Sequence, residues 1–352
     1  MGFKIGELIE GLTQNVTPKD LAGKKLGIDA FNVIHQFLAR IRDTDTGGMQ
    51  FTDSNGNVTS HLIGLFSRTS FMLLNGMKPL YVFDGQPPEF KKEEIARRKS
   101  IKAEALEKQA EALKAGDMTA AAKYAQATSK ITPQIIDDTK RLLDLMGVPH
   151  ITAPSEAEAE IAMLVQQKAI YATCSQDYDA LLFGSPRVIR NLSVSQRRKI
   201  PNTTRYVTQP ITLVETEKLL SNLAITREQL VLMALMVGTD FGPGVKGIGP
   251  KTALKLVQEH PSIDSLFDHL KSHYLDTEEK YQEAFPHDPV KIFEFFINPP
   301  FSAQTAIEWD KFDVDGLVAF LCKERDFSED RVVPNAKKIQ KMQQQTSLMS
   351  FF

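Results

Sequence analysis

Cysteine is almost missing: Cys174 and Cys322 are the only two in 352 residues, so no disulfide framework holds the fold together. No apolar run reaches membrane-spanning length. The stretch from Met1 to Leu12 lacks the basic and apolar regions of a signal peptide, and Gly at position 6 makes Gly2 a poor myristoylation site. These absences lead us to expect a soluble, intracellular chain with no membrane partner. An excess of positive charge is lacking too. The 42 Lys and Arg are balanced by 44 Asp and Glu, and the pI is near 6.4. A basic surface is the usual footprint of a nucleic-acid binder, so the overall balance argues against one. It does so only if every acid lies on the general surface; a handful given over to metal ions would tip the remainder positive. What is present, 42% hydrophobic and 24% charged residues, suffices for the core of one large domain or two small ones.

Two short apolar runs end in an acid: Lys24-Lys25-Leu26-Gly27-Ile28-Asp29 and Pro79-Leu80-Tyr81-Val82-Phe83-Asp84. Both read as buried strands, as do Val148 to Thr152 and Ala169 to Ser175. Helical patterns over Phe31 to Arg42, His61 to Asn75, Pro133 to Met146 and Glu156 to Gln167 lie between them. Strands alternating with helices predict an α/β fold with a central, mostly parallel sheet flanked by helices. Ligands of such sheets bind beyond the carboxyl ends of the strands, where Asp29, Asp84, Asp177 and Asp179 fall. Residues 89–130 are highly charged, rich in Ala, Glu, Lys and Gln, and helical by propensity, so they predict a polar helical insertion. Residues 226–267 read as helix, glycine turn, helix.

Acids at strand ends are held by rigid backbone and reach into a cleft. Several together repel one another unless a cation neutralises them, and an all-oxygen set selects hard ions such as Mg²⁺ or Mn²⁺. Two such ions about 4 Å apart activate a water and stabilise the leaving oxygen of a phosphodiester. A lone acid at a strand end is more often an ordinary cap. Ser155 with Glu158 also makes a capping box, and helix geometry pairs Glu156 with Glu160 rather than Glu158. Lys91 and Arg98 are seven residues apart and share a helix face, but Glu93–Arg97 and Glu94–Arg98 are also ordinary ion pairs of a solvated helix.

Taken in order, Ile28-Asp29-Ala30, Val82-Phe83-Asp84-Gly85-Gln86-Pro87-Pro88, Pro154-Ser155-Glu156-Ala157-Glu158-Ala159, Ser175-Gln176-Asp177-Tyr178-Asp179 and Val237-Gly238-Thr239-Asp240-Phe241 resemble the successive acidic motifs of flap endonucleases across nearly the whole chain. The resemblance implies that Asp29, Asp84, Glu156, Glu158, Asp177, Asp179 and Asp240 hold two Mg²⁺ ions, or Mn²⁺ in their place; Glu160 stays open. It implies that Lys91 and Arg98 stabilise charge on the scissile phosphate, and that residues 89–130 form a helical arch accepting a free 5′ end. Gly244-Val245-Lys246-Gly247-Ile248-Gly249-Pro250-Lys251 is similar to the family's helix–two-turn–helix (226–260). There Gly247, Gly249 and Lys251 would grip duplex backbone, with K⁺ at the turn.

His35 stands where many relatives carry a base-stacking Tyr, and Arg42 matches a residue near the point of strand separation. Gln345, Leu348, Phe351 and Phe352 fit the sliding-clamp pattern Q-x-x-L-x-x-F-F, a short anchoring helix for an apolar pocket. The organisation expected is a single nuclease domain over 1–332 and a flexible tail over 333–352 whose clamp motif spans 345–352. The expected function is hydrolysis at the base of 5′ DNA flaps, in Okazaki-fragment maturation and base excision repair, by a monomer of the cytoplasm or, in a eukaryote, the nucleus. The rivals are a 5′→3′ exonuclease or bubble-cutting repair nuclease, and a non-catalytic junction- or clamp-binding module.

Overall fold

The computed structural model of the chain describes residues 3–43, 46, 48–193, 197–199, 205–302 and 306–349. The chain interleaves distant stretches of its sequence. It divides into two compact units, Met1–Thr17 with Asp84–Ala96 and Thr152–Ala303, and Pro18–Phe83 with Arg97–Ile151 and Gln304–Phe352.

In the second unit the strands Lys25–Asp29 and Lys78–Phe83 pair in parallel, with Lys25 opposite Lys78 and Asp29 opposite Val82. Leu26, Ile28, Leu80 and Val82 are fully buried, which is why these runs read as continuously apolar. Asp29 ends its strand and caps the helix Ala30–Arg40, its Oδ1 accepting the Asn32 amide at 2.9 Å. That helix buries Val33, Ile34, Phe37 and Leu38 and lies close against the helix Ser60–Leu74. A Cβ on Gly64 would come within 2.2 Å of the Phe37 ring, so only glycine permits this approach. Pro133 opens the helix Pro133–Leu145 behind its Thr132 cap.

The insertion is helical as expected: Lys92–Lys114, then Met118–Ala125 capped by Asp117. The final helix runs Glu329–Met349 and buries Val332, Ala336 and Ile339. The flexible tail expected from 333 is therefore corrected. An apolar stripe at helical spacing, obscured in sequence by Lys and Gln, packs this segment against Ser60–Leu74.

In the first unit Gln14–Val16 pairs antiparallel with Ile211–Glu215, which pairs antiparallel with Arg187–Arg190. Arg187–Arg190 in turn runs parallel to Ala172–Cys174. The sheet is thus mixed: each unit has a parallel pair, and the first adds antiparallel pairs, which need no helical crossover. A buried helix, Arg227–Val237, opens on a full capping box between Thr226 and Gln229. Among the described residues no single helix is long and apolar enough to cross a membrane.

Candidate active site

Six of the expected acids fall in the first unit. Asp84 begins the loop after the strand Lys78–Phe83, and this loop is zipped to the one that carries Glu156. The Gly85 amide donates to Ser155 O at 2.6 Å and the Gln86 amide to Pro154 O at 3.1 Å. A Cβ on Gly85 would meet Ala153 O at 2.0 Å, so the glycine of the Asp84 motif serves this contact. Asp84 Oδ1 accepts the Ala157 amide at 2.7 Å, which places its charge at the start of the helix Ala157–Gln166. Glu156 is the residue that precedes this helix.

Lys91 sits on a tight turn, Glu89–Lys91, and its Nζ bonds directly to Glu156 Oε2. Phe90 anchors that turn edge-on against Phe241 and Phe295, with ring centroids 4.9 and 5.2 Å away. Such pairs contribute about 0.5–1.5 kcal/mol beyond area burial. Burial alone would lower the Lys91 pKa, but Glu156, Asp84 and Asp240 outweigh it and push it up. The acids respond in kind. Desolvation raises Asp84 against the pull of the Ala157 amide and Lys91. Desolvation, with Asp84 and Asp240 nearby, also raises Glu156.

Further along, Ser175 Oγ donates to Glu158 Oε1 at 2.8 Å and accepts the Asp177 amide at 3.1 Å. Asp179 Oδ1 accepts the Phe3 amide at 2.5 Å. Its pKa is pushed up to about 7 by burial and by the charges of Asp240 and Asp177. Asp240 follows Gly238, whose φ of +103° only glycine adopts freely. Glu160 is fully buried and bonds the Ser302 amide at 3.0 Å and its hydroxyl.

Among the described residues no three Asp, Glu, His or Cys side chains form a closed coordinating set. Asp84, Glu156, Glu158 and Asp179 instead accept from amide, hydroxyl and ammonium donors. The donor set nevertheless suits hard divalent cations: it is oxygen-only, partly buried at Asp84, Glu156 and Asp179, and countered by Lys91.

Other expected residues lie in the second unit. Asp29 caps its helix as described. His35 reaches solvent in a crowded, positive surround; partial desolvation, then Lys102 and Arg98, hold its pKa below the ordinary histidine value. The ring is therefore neutral near pH 7, the form suited to stacking. Arg42 is engaged within the protein. Its guanidinium donates to Leu38 O, Gly48 O and Ser129 Oγ, each at 2.8 Å, and so ties the first helix to the end of the insertion.

The glycine turn lies in the first unit. Gly247 has φ +88° and Gly249 precedes the helix Pro250–Glu259; a Cβ at either would meet nothing within 4 Å. Lys251 is exposed and 3.7 Å from Glu7. Gln345 and Leu348 fall on the last helix with side chains outside the description, and Phe351 and Phe352 lie outside the described residues. Sequence reasoning missed Ser175, Phe90 and Arg190. Ser175 was visible as the residue opening Ser175-Gln176-Asp177, whereas nothing local marks Arg190.

Known proteins resemble this chain along most of its length. The XPG N-terminal domain family matches residues 3–105 and the XPG I-region family residues 147–240. Flap endonuclease 1 of Thermococcus onnurineus is 45% identical over 100% of this chain and 99% of its own. The structure of flap endonuclease-1 from Methanococcus jannaschii superposes with a TM-score of 0.69 at 34% identity, covering 94% of this chain and 96% of that one. The catalytic core of Rad2 in complex with DNA substrate shares the fold at 22% identity and TM-score 0.69, covering 95% and 98%. Full-length identity of 45% to a flap endonuclease 1, with both XPG family matches, makes the chain a member of the flap endonuclease family, a structure-specific 5′ nuclease.

Proposed function

We propose that the chain cuts the phosphodiester at the base of a 5′ DNA flap with two divalent ions, Mg²⁺ or Mn²⁺. Asp84, Glu156, Glu158, Asp177, Asp179 and Asp240, together with Asp29, would hold them. The observation that carries this reading is the Lys91 ammonium seated on Glu156 and attracted by Asp84 and Asp240. Asp84, Glu156 and Asp179, partly buried and with pKa values driven up, mark a site that a cation stabilises. When bound, such ions supply an activated water and neutralise the charge of the leaving oxygen. Lys91 is aimed by Phe90 and stabilises phosphate charge; Arg98 does the same from the insertion, and His35 stacks on a base as a neutral ring. Residues 89–130 serve as the arch. The turn at Gly247 and Gly249, with Lys251 and a K⁺ ion, holds duplex backbone without reading sequence. Residues 345–352 dock on a sliding clamp, and the monomer works in Okazaki-fragment maturation and base excision repair.

The test is cleavage of labelled 5′-flap DNA by Asp84→Asn and Asp177→Asn. Each should lose most activity in Mg²⁺ yet bind the flap as tightly as the parent or tighter, because charge repulsion falls. Parent-level cutting by both variants would overturn the assignment.

A further inference from the structure

We propose that Arg190 is a positioning residue of the nuclease centre, holding the turn that presents Asp177 and Asp179. The proposal rests on the reading of those two acids as metal ligands. Arg190 closes the strand Arg187–Arg190, and its guanidinium is used on three sides. Nε and Nη2 both donate to Gln176 O, at 3.2 and 2.9 Å. Nη1 donates to the Tyr178 hydroxyl, and the guanidinium carbon lies over the Tyr178 ring, 4.1 Å from its centroid. Gln176 and Tyr178 alternate with Asp177 and Asp179. Fixing the backbone of one and the ring of the other therefore fixes the acids between and after them.

The turn has no long regular element of its own. It runs from the end of Ala172–Cys174 into a single helical turn, Asp179–Leu182. It is also held by the Ser175 hydroxyl on the Asp177 amide, the Phe3 amide on Asp179 and the Ser175 amide on Ile189 O. Mutually repelling carboxylates would drive such a turn apart, and a forked cation gripping a carbonyl and a ring opposes that. Lysine cannot replace it, since it has neither the paired donors nor the planar face.

The sign of the effect on metal affinity separates this role from plain electrostatics. A cation beside a metal site weakens metal binding by charge alone, so removing it should tighten binding. Loss of a positioning residue should loosen it, by about 10–100-fold. The experiment is Mn²⁺ titration of the DNA-free protein, with free Mn²⁺ read by electron paramagnetic resonance, for the parent, Arg190→Met, Arg190→Lys, Tyr178→Phe and Asp177→Asn. Thermal melts establish that each is folded. We expect weaker Mn²⁺ binding in both Arg190 variants and a smaller loss in Tyr178→Phe, which keeps the ring but not the hydroxyl. In flap cleavage the Arg190 variants should lower kcat with little change in KM.

Unchanged or tighter Mn²⁺ binding in Arg190→Met, or full rescue by Arg190→Lys, would overturn the proposal. Should Arg190→Met not fold, parent-like Mn²⁺ affinity in both Arg190→Lys and Tyr178→Phe would overturn it equally. If Asp177→Asn binds Mn²⁺ as the parent does, the ligand assignment fails. If it weakens while the Arg190 variants do not, only the positioning role fails.

Discussion

Lys91 and Lys92 are neighbours with opposite surroundings. The Lys91 side chain is 15% exposed against Glu156, while that of Lys92 is 72% exposed and 3.6 Å from Glu89. Lys91→Ala should therefore lower the single-turnover rate by about 10²–10³-fold, the scale of a lost oxyanion donor, and Lys92→Ala should be mild. Equal losses in rapid-quench assays would assign both to bulk charge.

A second residue governs stability rather than chemistry. His61 is fully buried, and neither ring nitrogen has a hydrogen-bond partner among the described residues. Burial lowers its pKa to about 4, helped by Arg325 and opposed by Asp138. Arg325 itself bonds Asp138 at 2.8 Å and lies 3.8 Å from Asp53. Because the folded pKa lies below the unfolded one, the contribution is complete above the unfolded value of 6.5. It is lost as pH falls from there towards 4, about 3 kcal/mol in all. Urea midpoints at pH 7.5 and 4.5 should thus differ less for His61→Leu than for the parent; identical differences would remove His61 from the account.

At the scale of elements, the glycine turn allows a test in which stability and binding separate. Gly249 has an ordinary φ of −97° and open space where a Cβ would go. Gly249→Ala should then leave the melting temperature nearly unchanged while weakening flap binding, since the added methyl occupies the path of a phosphate. Undiminished affinity at matched salt would show that DNA does not approach there. Much at this scale was legible from sequence. The acid-ended strands, the charged helical insertion and the capped helices follow from local pattern, and the acids of the site follow from their ordered motifs. What was not legible is long-range: Arg190 reaches back to Gln176, Glu160 reaches forward to Ser302, and Arg42 bonds Ser129. The last helix was hidden because its buried Val332, Ala336 and Ile339 are few among many polar residues.

For the molecule as a whole, near-neutral net charge leaves binding dependent on a few local phosphate contacts, so affinity should still fall with salt. Clamp docking is expected to separate from chemistry. Deleting residues 345–352 removes no expected metal ligand, and cleavage of short flap oligonucleotides should be unchanged, whereas stimulation by the cognate clamp should vanish. Full clamp affinity in the truncated protein would place the contact elsewhere.

The alternation of the chain between two units bears on how the enzyme is made. The second unit begins at Pro18 yet takes its last portion from Gln304 onward, including Arg325, which joins Asp53 and Asp138. A chain still emerging from the ribosome carries both acids long before their partner, at roughly 5–20 residues per second. That unit cannot close until the segment from Gln304 onward has been made, so a chain cut before it lacks the finished core. Closure of a unit that opens at Pro18 thus waits on Arg325, far along the chain.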